Sequence, residues 1–355
     1  DLRAHYEGRR KPPWWPSANG LEVLLDFMKV AGTSEYERTI AELYDLQKNQ
    51  PARMARVVSE LKRRGQWSAT DEEKWKEQNA PKPKPEGDEV VYYYSDFQNE
   101  YLDDSGWWAL TWLKMHDRTG EAKYLHTAKF IHGHMAKNWR PDKGGGVLWC
   151  EEEDKQRPNT ITNNLFLILS ARLHARTQEA GYKEWAVKTL EWIRDRKLFD
   201  GTALVDAPDH RGDYWSYNQG TYLAGLVAMH EATGEARYLD EAAAFAKRVI
   251  EASGLVRPNR VIVEKLGTRG DASLFKGVFA RGLGQLRDAL RAHDRQRELG
   301  DENDRILHAS ADSLLRHGVG ENGLFIAGCH EGARRREGNF NTQVWGVALR
   351  TSTRA

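Results

Sequence analysis

The sequence predicts an all-α fold, an (α/α)6 barrel of six helical hairpins arranged as inner and outer helix rings, and three observations predict it. First, a turn motif repeats. Thr119-Gly120-Glu121-Ala122-Lys123-Tyr124-Leu125 lies over Thr233-Gly234-Glu235-Ala236-Arg237-Tyr238-Leu239. Weaker copies are Gly32-Thr33-Ser34-Glu35-Tyr36, Ala180-Gly181-Tyr182-Lys183-Glu184-Trp185 and Gly300-Asp301-Glu302-Asn303. Apart from one longer gap they recur roughly every 50–70 residues, the scale of a helical-hairpin repeat. Second, the segments before the turns are apolar nearly all round, whereas those after them carry a charged face. A helix apolar on every side must be surrounded by protein, and one with a charged face borders solvent. Third, the β-like runs at 90–94 and 261–263 are too short to compete.

Taken in order, the first hairpin covers 21–49, and Pro51 breaks the preceding helical pattern, splitting 35–64 into two pieces. Inner helices are expected around 107–115, 165–173, 222–229 and, more weakly, 275–290. Outer helices are expected around 124–136, 185–193 and 238–250, with an incomplete last hairpin at 340–350. Each turn glycine ends one helix, and a Thr, Ser or acidic residue starts the next. The longer gap holds an insertion at about 63–90, in which Lys82-Pro83-Lys84-Pro85-Glu86-Gly87 reads as a loop or extended linker. The hairpin before it is too short to fold alone. The insertion is therefore assigned to the surface of a single domain spanning residues 1–355.

Composition narrows the function. The 53 basic and 52 acidic side chains leave a formal charge of +1, which argues against a dedicated nucleic-acid or anionic-membrane surface. No run has the length of a transmembrane span, and no apolar leader is visible at Asp1-Leu2-Arg3. Two cysteines, Cys150 and Cys329, are too few for a disulfide framework and wrongly spaced for zinc. His132-Gly133-His134 lacks a third ligand, so no metal is expected. Gly144-Gly145-Gly146 lacks the Lys and Ser/Thr of a phosphate loop and suits a tight turn that brings backbone near a ligand. Lys276 and Arg281 suit either an anionic ligand group or internal ion pairs, and Arg334-Arg335-Arg336 a surface loop. Thirteen tryptophans, several beside polar motifs, favour a sugar-binding surface over a purely apolar core.

The inner helices share a property that bears on chemistry: nearly all begin with polar and aromatic residues. These starts are Tyr101-Leu102-Asp103-Asp104-Ser105-Gly106-Trp107, Asn159-Thr160-Ile161-Thr162-Asn163-Asn164 and Tyr214-Trp215-Ser216-Tyr217-Asn218-Gln219-Gly220. Asp271-Ala272-Ser273-Leu274-Phe275-Lys276-Gly277 and Asn339-Phe340-Asn341-Thr342-Gln343 complete the set. Any one of them alone fits a helix cap. If the inner helices run parallel, all five converge on one pit, and amides with aromatics are what a polyhydroxylated ring requires. Within it Asp103 and Asp104 form the one close carboxylate pair, with Asp271 arriving from another hairpin. Adjacent carboxylates suit the roughly 5 Å separation of a retaining glycosidase better than the wider inverting gap. A helix start favours an ionised carboxyl, so burial by Trp107 or Trp108 and repulsion within the pair would have to raise the other one.

These residues resemble glycoside hydrolase family 76, the α-1,6-mannanases. The resemblance rests on the ordered series Asp103-Asp104-Ser105-Gly106-Trp107-Trp108-Ala109-Leu110, Thr119-Gly120, Gly144-Gly145-Gly146-Val147-Leu148-Trp149, Asn163-Asn164-Leu165-Phe166-Leu167, Tyr217-Asn218-Gln219-Gly220 and Phe275-Lys276-Gly277-Val278-Phe279. Leu102 stands where the family commonly has an aromatic residue, and Cys150 follows Trp149. The resemblance implies an (α/α)6 barrel and retaining hydrolysis of α-1,6-mannosidic bonds, with Asp103 as nucleophile and Asp104 as general acid/base. The expected substrate contacts are Trp107, Trp108, Gly145, Asn163, Asn164, Tyr217, Asn218, Gln219, Asp271, Phe275 and Lys276. The expected partner is α-mannan or an α-1,6-manno-oligosaccharide, with no cofactor, no nucleic acid and a monomeric chain that is secreted, periplasmic or at the cell surface. Two other readings of the residues stand beside it. One is a different sugar-active barrel, an unsaturated uronyl hydrolase or an epimerase; the other is a glycan-binding barrel without catalysis. Because the insertion leads directly to Asp103, it is expected to wall one end of the cleft and favour short or chain-end substrates. Digestion of a long α-1,6-mannan should then release short products from the outset, and random internal cleavage would contradict this.

Overall fold

The computed structural model describes residues 14–48, 97–209, 212–267, 270–319, 346–348 and 351–353, with a few positions between 62 and 70. The linker at 82–87, nearly all of the insertion, the cluster at 339–343, Arg334 to Arg336 and Cys329 lie outside the described residues. Ten α-helices are described: α1 (Trp14–Ala31), α2 (Glu37–Lys48), α3 (Leu102–Thr119), α4 (Ala122–Lys137), α5 (Thr160–Thr177), α6 (Ala180–Asp195), α7 (Ser216–Thr233), α8 (Arg237–Ala252), α9 (Ala272–Ala292) and α10 (Arg297–His317). Odd-numbered helices form the inner ring and even-numbered ones the outer ring of an (α/α)6 barrel. Short helical pieces at 346–348 and 351–352 pack back on α9, where Arg287 Nη1 donates to the Ser352 carbonyl at 2.7 Å. Described β-structure is limited to isolated bridges, one of which pairs Val256 with Ile262.

The turns at the lower end follow one chemical recipe. In the sequences His116-Asp117-Arg118-Thr119-Gly120-Glu121 and His230-Glu231-Ala232-Thr233-Gly234-Glu235, glycine adopts a left-handed conformation at φ 73° and 71°. Its N–H donates to the histidine carbonyl at 2.8 Å in both, which satisfies a carbonyl that the helix end would leave free. The threonine hydroxyl accepts the glutamate N–H at 3.2 Å in each. The histidine Nδ1 closes the turn on the glutamate carbonyl, at 3.1 Å in both. A third turn is built the same way around Gln178, left-handed at φ 58° without being glycine. This corrects the expected register: Gly181 is inside α6, and Gly300 is inside α10 rather than at a turn. Their lack of a positive φ shows that a glycine near a repeat boundary was mistaken for the boundary itself.

Inner helices approach so closely that the contacts need glycine. A Cβ on Gly220 of α7 would lie 2.5 Å from the backbone of Phe279 in α9, and a Cβ on Gly282 of α9 would press on the backbone of Gly220. Gly106 against Leu165 and Gly225 against Leu167 serve the α3–α5 and α5–α7 contacts. Below the upper face the barrel axis is plugged by charge. Glu22 of α1 pairs with Arg281 of α9 and Lys114 of α3, and Lys114 also reaches Asp26 at 2.8 Å. Burial works to raise the Glu22 carboxyl, but Arg281, Lys114 and Arg172 outweigh it and lower it to about 2. The plug ties three helices of the ring together, and Arg281 is thereby an internal ion-pair residue. Cys150 is a buried free thiol.

Gly282→Ala should lower stability by about 1–3 kcal/mol, because backbone meets backbone and neither can turn aside. Gly133→Ala, in α4 with open space around it, should instead stabilise by roughly 0.5–1 kcal/mol through helix propensity. Thermal or denaturant unfolding of the two variants checks this, and equal effects would contradict the close-approach account.

Candidate active site

The first turns of α1, α3, α7 and α9 meet on one face, as parallel inner helices require. Phe275 of α9 stacks on Tyr217 of α7 with ring centroids 3.9 Å apart, stands edge-on to Trp215, and lies 5.8 Å from Trp15 of α1. Asp103 and Asp104 occupy the first turn of α3, behind Tyr101, whose extended backbone starts the helix without a side-chain cap. Neither aspartate is spent on capping an N–H deeper in the helix. Asp103 Oδ1 accepts the N–H of Asp104 at 3.1 Å, and its Oδ2 accepts the indole N–H of Trp149 at 3.2 Å. Asp104 Oδ2 accepts one donor, the Asn99 amide, at 2.8 Å. Asn99 is itself fixed, since its Oδ1 accepts the Tyr101 N–H at 3.0 Å.

That difference in donors separates two neighbouring carboxyls. Burial pushes Asp103 up to about 7 and the nearby Asp206 adds to the rise, while the Asp104 and Trp149 donors hold it back. Burial and the charge of Asp103 push Asp104 well above the carboxylate range, with Asn99 opposing and Asp271 and Glu100 adding to the rise. The pit is therefore crowded with acids. Glu264, raised by burial to about 7, accepts the Ser216 N–H at the start of α7, and the Lys276 charge opposes its rise. Asp206 accepts from the Tyr217 hydroxyl at 3.3 Å and from the Asn218 amide at 3.0 Å. Burial and the charges of Asp206, Asp103 and Glu264 push the Tyr217 phenol well above its ordinary value, so it remains a neutral donor.

The acids outside α3 arrive on loops, and the fourth residue of an inner helix holds each of two loops in place. Asn163 exchanges two hydrogen bonds with the backbone of Val147, accepting at 2.8 Å and donating at 3.0 Å. Its amide also donates to the Asn159 carbonyl one turn back at 2.8 Å. Gln219 repeats this on Leu204, accepting at 2.8 Å and donating at 2.9 Å, with its third bond to the Trp215 carbonyl at 3.0 Å. Ser105, fourth in α3, does a simpler version: its Oγ accepts the Asn99 N–H at 3.2 Å. The clamp on Val147 positions Trp149 against Asp103, and the clamp on Leu204 positions Asp206.

Several expected substrate contacts are corrected by this arrangement. Asn163 and Gln219 are fully buried and their amides are consumed by backbone. Asn164 is also fully buried, with its amide on the Asn218 carbonyl and the Thr221 hydroxyl at 3.0 Å each. Trp108 is enclosed between Phe97 and Trp112, and Trp107 packs on Trp15 beneath the guanidinium of Arg281. These two indoles are core, because α3 is surrounded on both sides. Gly145 lies against Trp192, where a Cβ would come within 2.9 Å of the indole, so the turn serves packing. His132 is buried on Ser170 and stacked on Phe166, and burial lowers it to about 4. Of the remaining expected residues, the charge of Asp271 acts on Asp104, Tyr217 and Asn218 donate to Asp206, Phe275 stacks on Tyr217, and the charge of Lys276 acts on Glu264. Sequence reasoning assigned no role to Asn99, Trp149, Asp206 and Glu264, which lie in the loops preceding inner helices; that shared position was the available signal.

Raised carboxyls tie stability to pH. A carboxyl whose folded pKa exceeds its unfolded one favours the fold at low pH, and that contribution is lost as pH rises through the folded value. With Asp103 and Glu264 each near 7, the melting temperature should fall between about pH 5 and about pH 8. Asp104→Asn should raise it at neutral pH by removing one of the crowded acids; a wild-type melting temperature that climbs over this interval would refute the assignment.

Comparison with known proteins agrees with this architecture. The Glycosyl hydrolase family 76 model matches residues 65–317. The mannan endo-1,6-alpha-mannosidase DCW1 of Saccharomyces cerevisiae is 27% identical over 207 residues, covering 51% of this chain and 45% of that protein. The Candida glabrata protein of the same name is 25% identical over 213 residues, covering 53% and 47%. The chain thus spans about half the length of the curated relatives it matches. Among solved structures, the GH76A alpha-1,6-mannanase from Salegentibacter sp. HEL1_6 superposes with a TM-score of 0.73 at 24% identity, over 98% of this chain and 90% of that one. An inactive variant of that protein, in complex with alpha-1,6-mannotetrose, superposes with the same TM-score at 23% identity, over 96% and 88%. The matched segment holds the paired aspartates together with the loops that surround them, and the chain belongs to glycosyl hydrolase family 76.

Proposed function

We propose that this protein is a retaining glycoside hydrolase that cleaves α-1,6-mannosidic linkages, with Asp103 as nucleophile and Asp104 as acid/base. The observation that carries the proposal is the unequal support of two adjacent carboxyls: two donors on Asp103, one on Asp104. The better-supported Asp103 gives up its proton first and is the anion. Asp104, held up by burial and by the charge beside it, keeps its proton for the leaving oxygen.

In the first step an Asp103 oxygen attacks the anomeric carbon, the glycosidic C–O bond breaks, and the Asp104 proton passes to the departing oxygen. With Asp103 neutralised as an ester, the repulsion that raised Asp104 is gone. Asp104 can then act as base and take a proton from water as that water attacks the anomeric carbon and frees Asp103. Two inversions at one carbon give net retention. Trp149 and Asn99 keep the two carboxyls oriented, and the Phe275–Tyr217 stack beside Trp215 offers aromatic surface for the apolar face of a sugar. The choice of mannan is supported by the names of the relatives. The pairing is supported by the solved inactive alpha-1,6-mannanase variant, in which two consecutive aspartates are replaced by alanine.

Separate Asp103→Asn and Asp104→Asn variants should each lose α-1,6-mannan hydrolysis, the acid/base change by roughly 10²–10⁴-fold. The first sugar released by the wild type should be the α anomer by NMR. Hydrolysis surviving both substitutions, or a β anomer appearing first, would overturn the proposed mechanism. Activity should rise with pH as the pair loses its first proton and fall as it loses its second.

A further inference from the structure

Beside the acidic pit lies a second cavity, of 240 Å³, with the opposite charge. Lys143, Arg157 and Arg196 line it against a single acid, Asp209. None of the three cations forms an ion pair with another described residue. One wall is Trp192, flanked by Pro158 and Pro208. The volume is below the roughly 300–1,000 Å³ that encloses a whole drug-sized ligand, which suits one sugar unit or one substituent.

The wall of the cavity is built by packing, and the three exposed cations stand around it. Trp192 is buried, and its indole N–H donates to the Gly144 carbonyl at 3.0 Å. The turn of Gly144, Gly145 and Gly146 lies directly against it: a Cβ at Gly146 would be 2.6 Å from the indole and one at Gly144 would be 2.8 Å from Arg196 Nη1. The glycine run thus lets the chain press onto Trp192, brings Lys143 to the rim and seats the Arg196 guanidinium.

Two links, one a ring contact and one the chain itself, join the cavity to the pit. Arg157 stacks over the ring of Trp149, 5.5 Å from its centroid, and the indole N–H of Trp149 holds Asp103. Pro208 follows Asp206 by two residues on one loop, so that loop faces the pit at Asp206 and the cavity at Pro208. The cavity and the pit therefore adjoin, sharing Trp149 and this loop.

We propose that the cavity binds a phosphoryl-type anionic substituent carried by the glycan, its oxygens taken by Lys143, Arg157 and Arg196 and its sugar resting on Trp192. Guanidinium pairs are suited to such oxygens, because their fork of N–H donors matches the geometry of a phosphate. The proposal rests on the reading of the site as glycan-binding, but its test does not depend on catalysis. Calorimetric titration of the wild type should show mannose 6-phosphate binding about tenfold or more tightly than mannose, and weakening as salt is added. Glucose 6-phosphate against glucose repeats the comparison without assuming mannose. Inorganic phosphate should compete with the sugar phosphates. The combined Lys143→Gln and Arg196→Gln variant should lose the preference while its hydrolysis of neutral α-1,6-mannan stays at the wild-type level. Equal binding of phosphorylated and plain sugar would overturn the proposal, as would a preference that survives the double substitution. Binding of inorganic phosphate without binding of either sugar phosphate would also overturn it, leaving a free-ion site.

Discussion

One hydrogen-bonding device fixes the upper face of this barrel: the fourth residue of an inner helix grips the loop that has just delivered the chain into it. Asn163 and Gln219 use the same three bonds, two to a loop residue and one to the carbonyl a turn back, and Ser105 uses a reduced form. The device matters because of what the loops carry. Asp103, Asp104, Asp206 and Glu264 share one region, and like charges there repel unless protons or donors intervene. Loops free to move would relieve that repulsion by swinging outward. Buried amide clamps remove the freedom, since breaking one would strand polar groups away from water at a cost of about 1–3 kcal/mol each.

The clamps work only if the helix starts are themselves fixed relative to one another, which is a matter of backbone packing. Gly220 and Gly282 let α7 and α9 touch nearly backbone to backbone, and the Glu22, Lys114 and Arg281 plug joins α1, α3 and α9 across the axis. A buried ion group of this kind is weak evidence of net stability, because desolvation offsets much of the attraction. Its effect is positional: removing one partner leaves a charge without compensation, so the three helices stay in one arrangement. The positions of the paired carboxyls are inherited from that arrangement.

The barrel was legible in the sequence because its period, its turn chemistry and the contrast of inner and outer helices are all local signals. The aspartate pair was legible because two adjacent carboxylates at a helix start are unusual. The division of labour around them was not. An amide facing a sugar and an amide facing a loop are the same residue type at the same helical position, and only the fold decides which partner arrives first. Asn163 and Gln219 illustrate the point, since their partners Val147 and Leu204 precede them by 16 and 15 residues. Trp107 and Trp108 were ambiguous for a related reason: in a helix enclosed on both sides, neither of two successive directions leads to the pit. Asp206 and Glu264 gave no helix-start pattern at all, because their positions come from loop paths. Gln178 hid a turn by adopting the left-handed conformation without glycine, which moved the apparent boundary to Gly181.

The same physics that makes the site reactive also explains why an opposite charge lies beside it. A carboxyl raised by burial and by its neighbours is an unfavourable element of the fold, and each further acid in the pit increases that cost. A cation beside the aspartate pair would lower both carboxyls, as Lys276 does at Glu264, and the proposed acid/base Asp104 would lose its proton. Cations set behind Trp149 avoid this. Arg157 contacts the face of the indole while the indole edge donates to Asp103, so the positive charge meets the acid through a polarised N–H rather than directly. Trp149 thereby separates two electrostatic regions while coupling them mechanically, holding Asp103 on one side and supporting the basic cavity on the other. The indole is suited to both tasks, having one strong donor at its edge and a face that attracts cations.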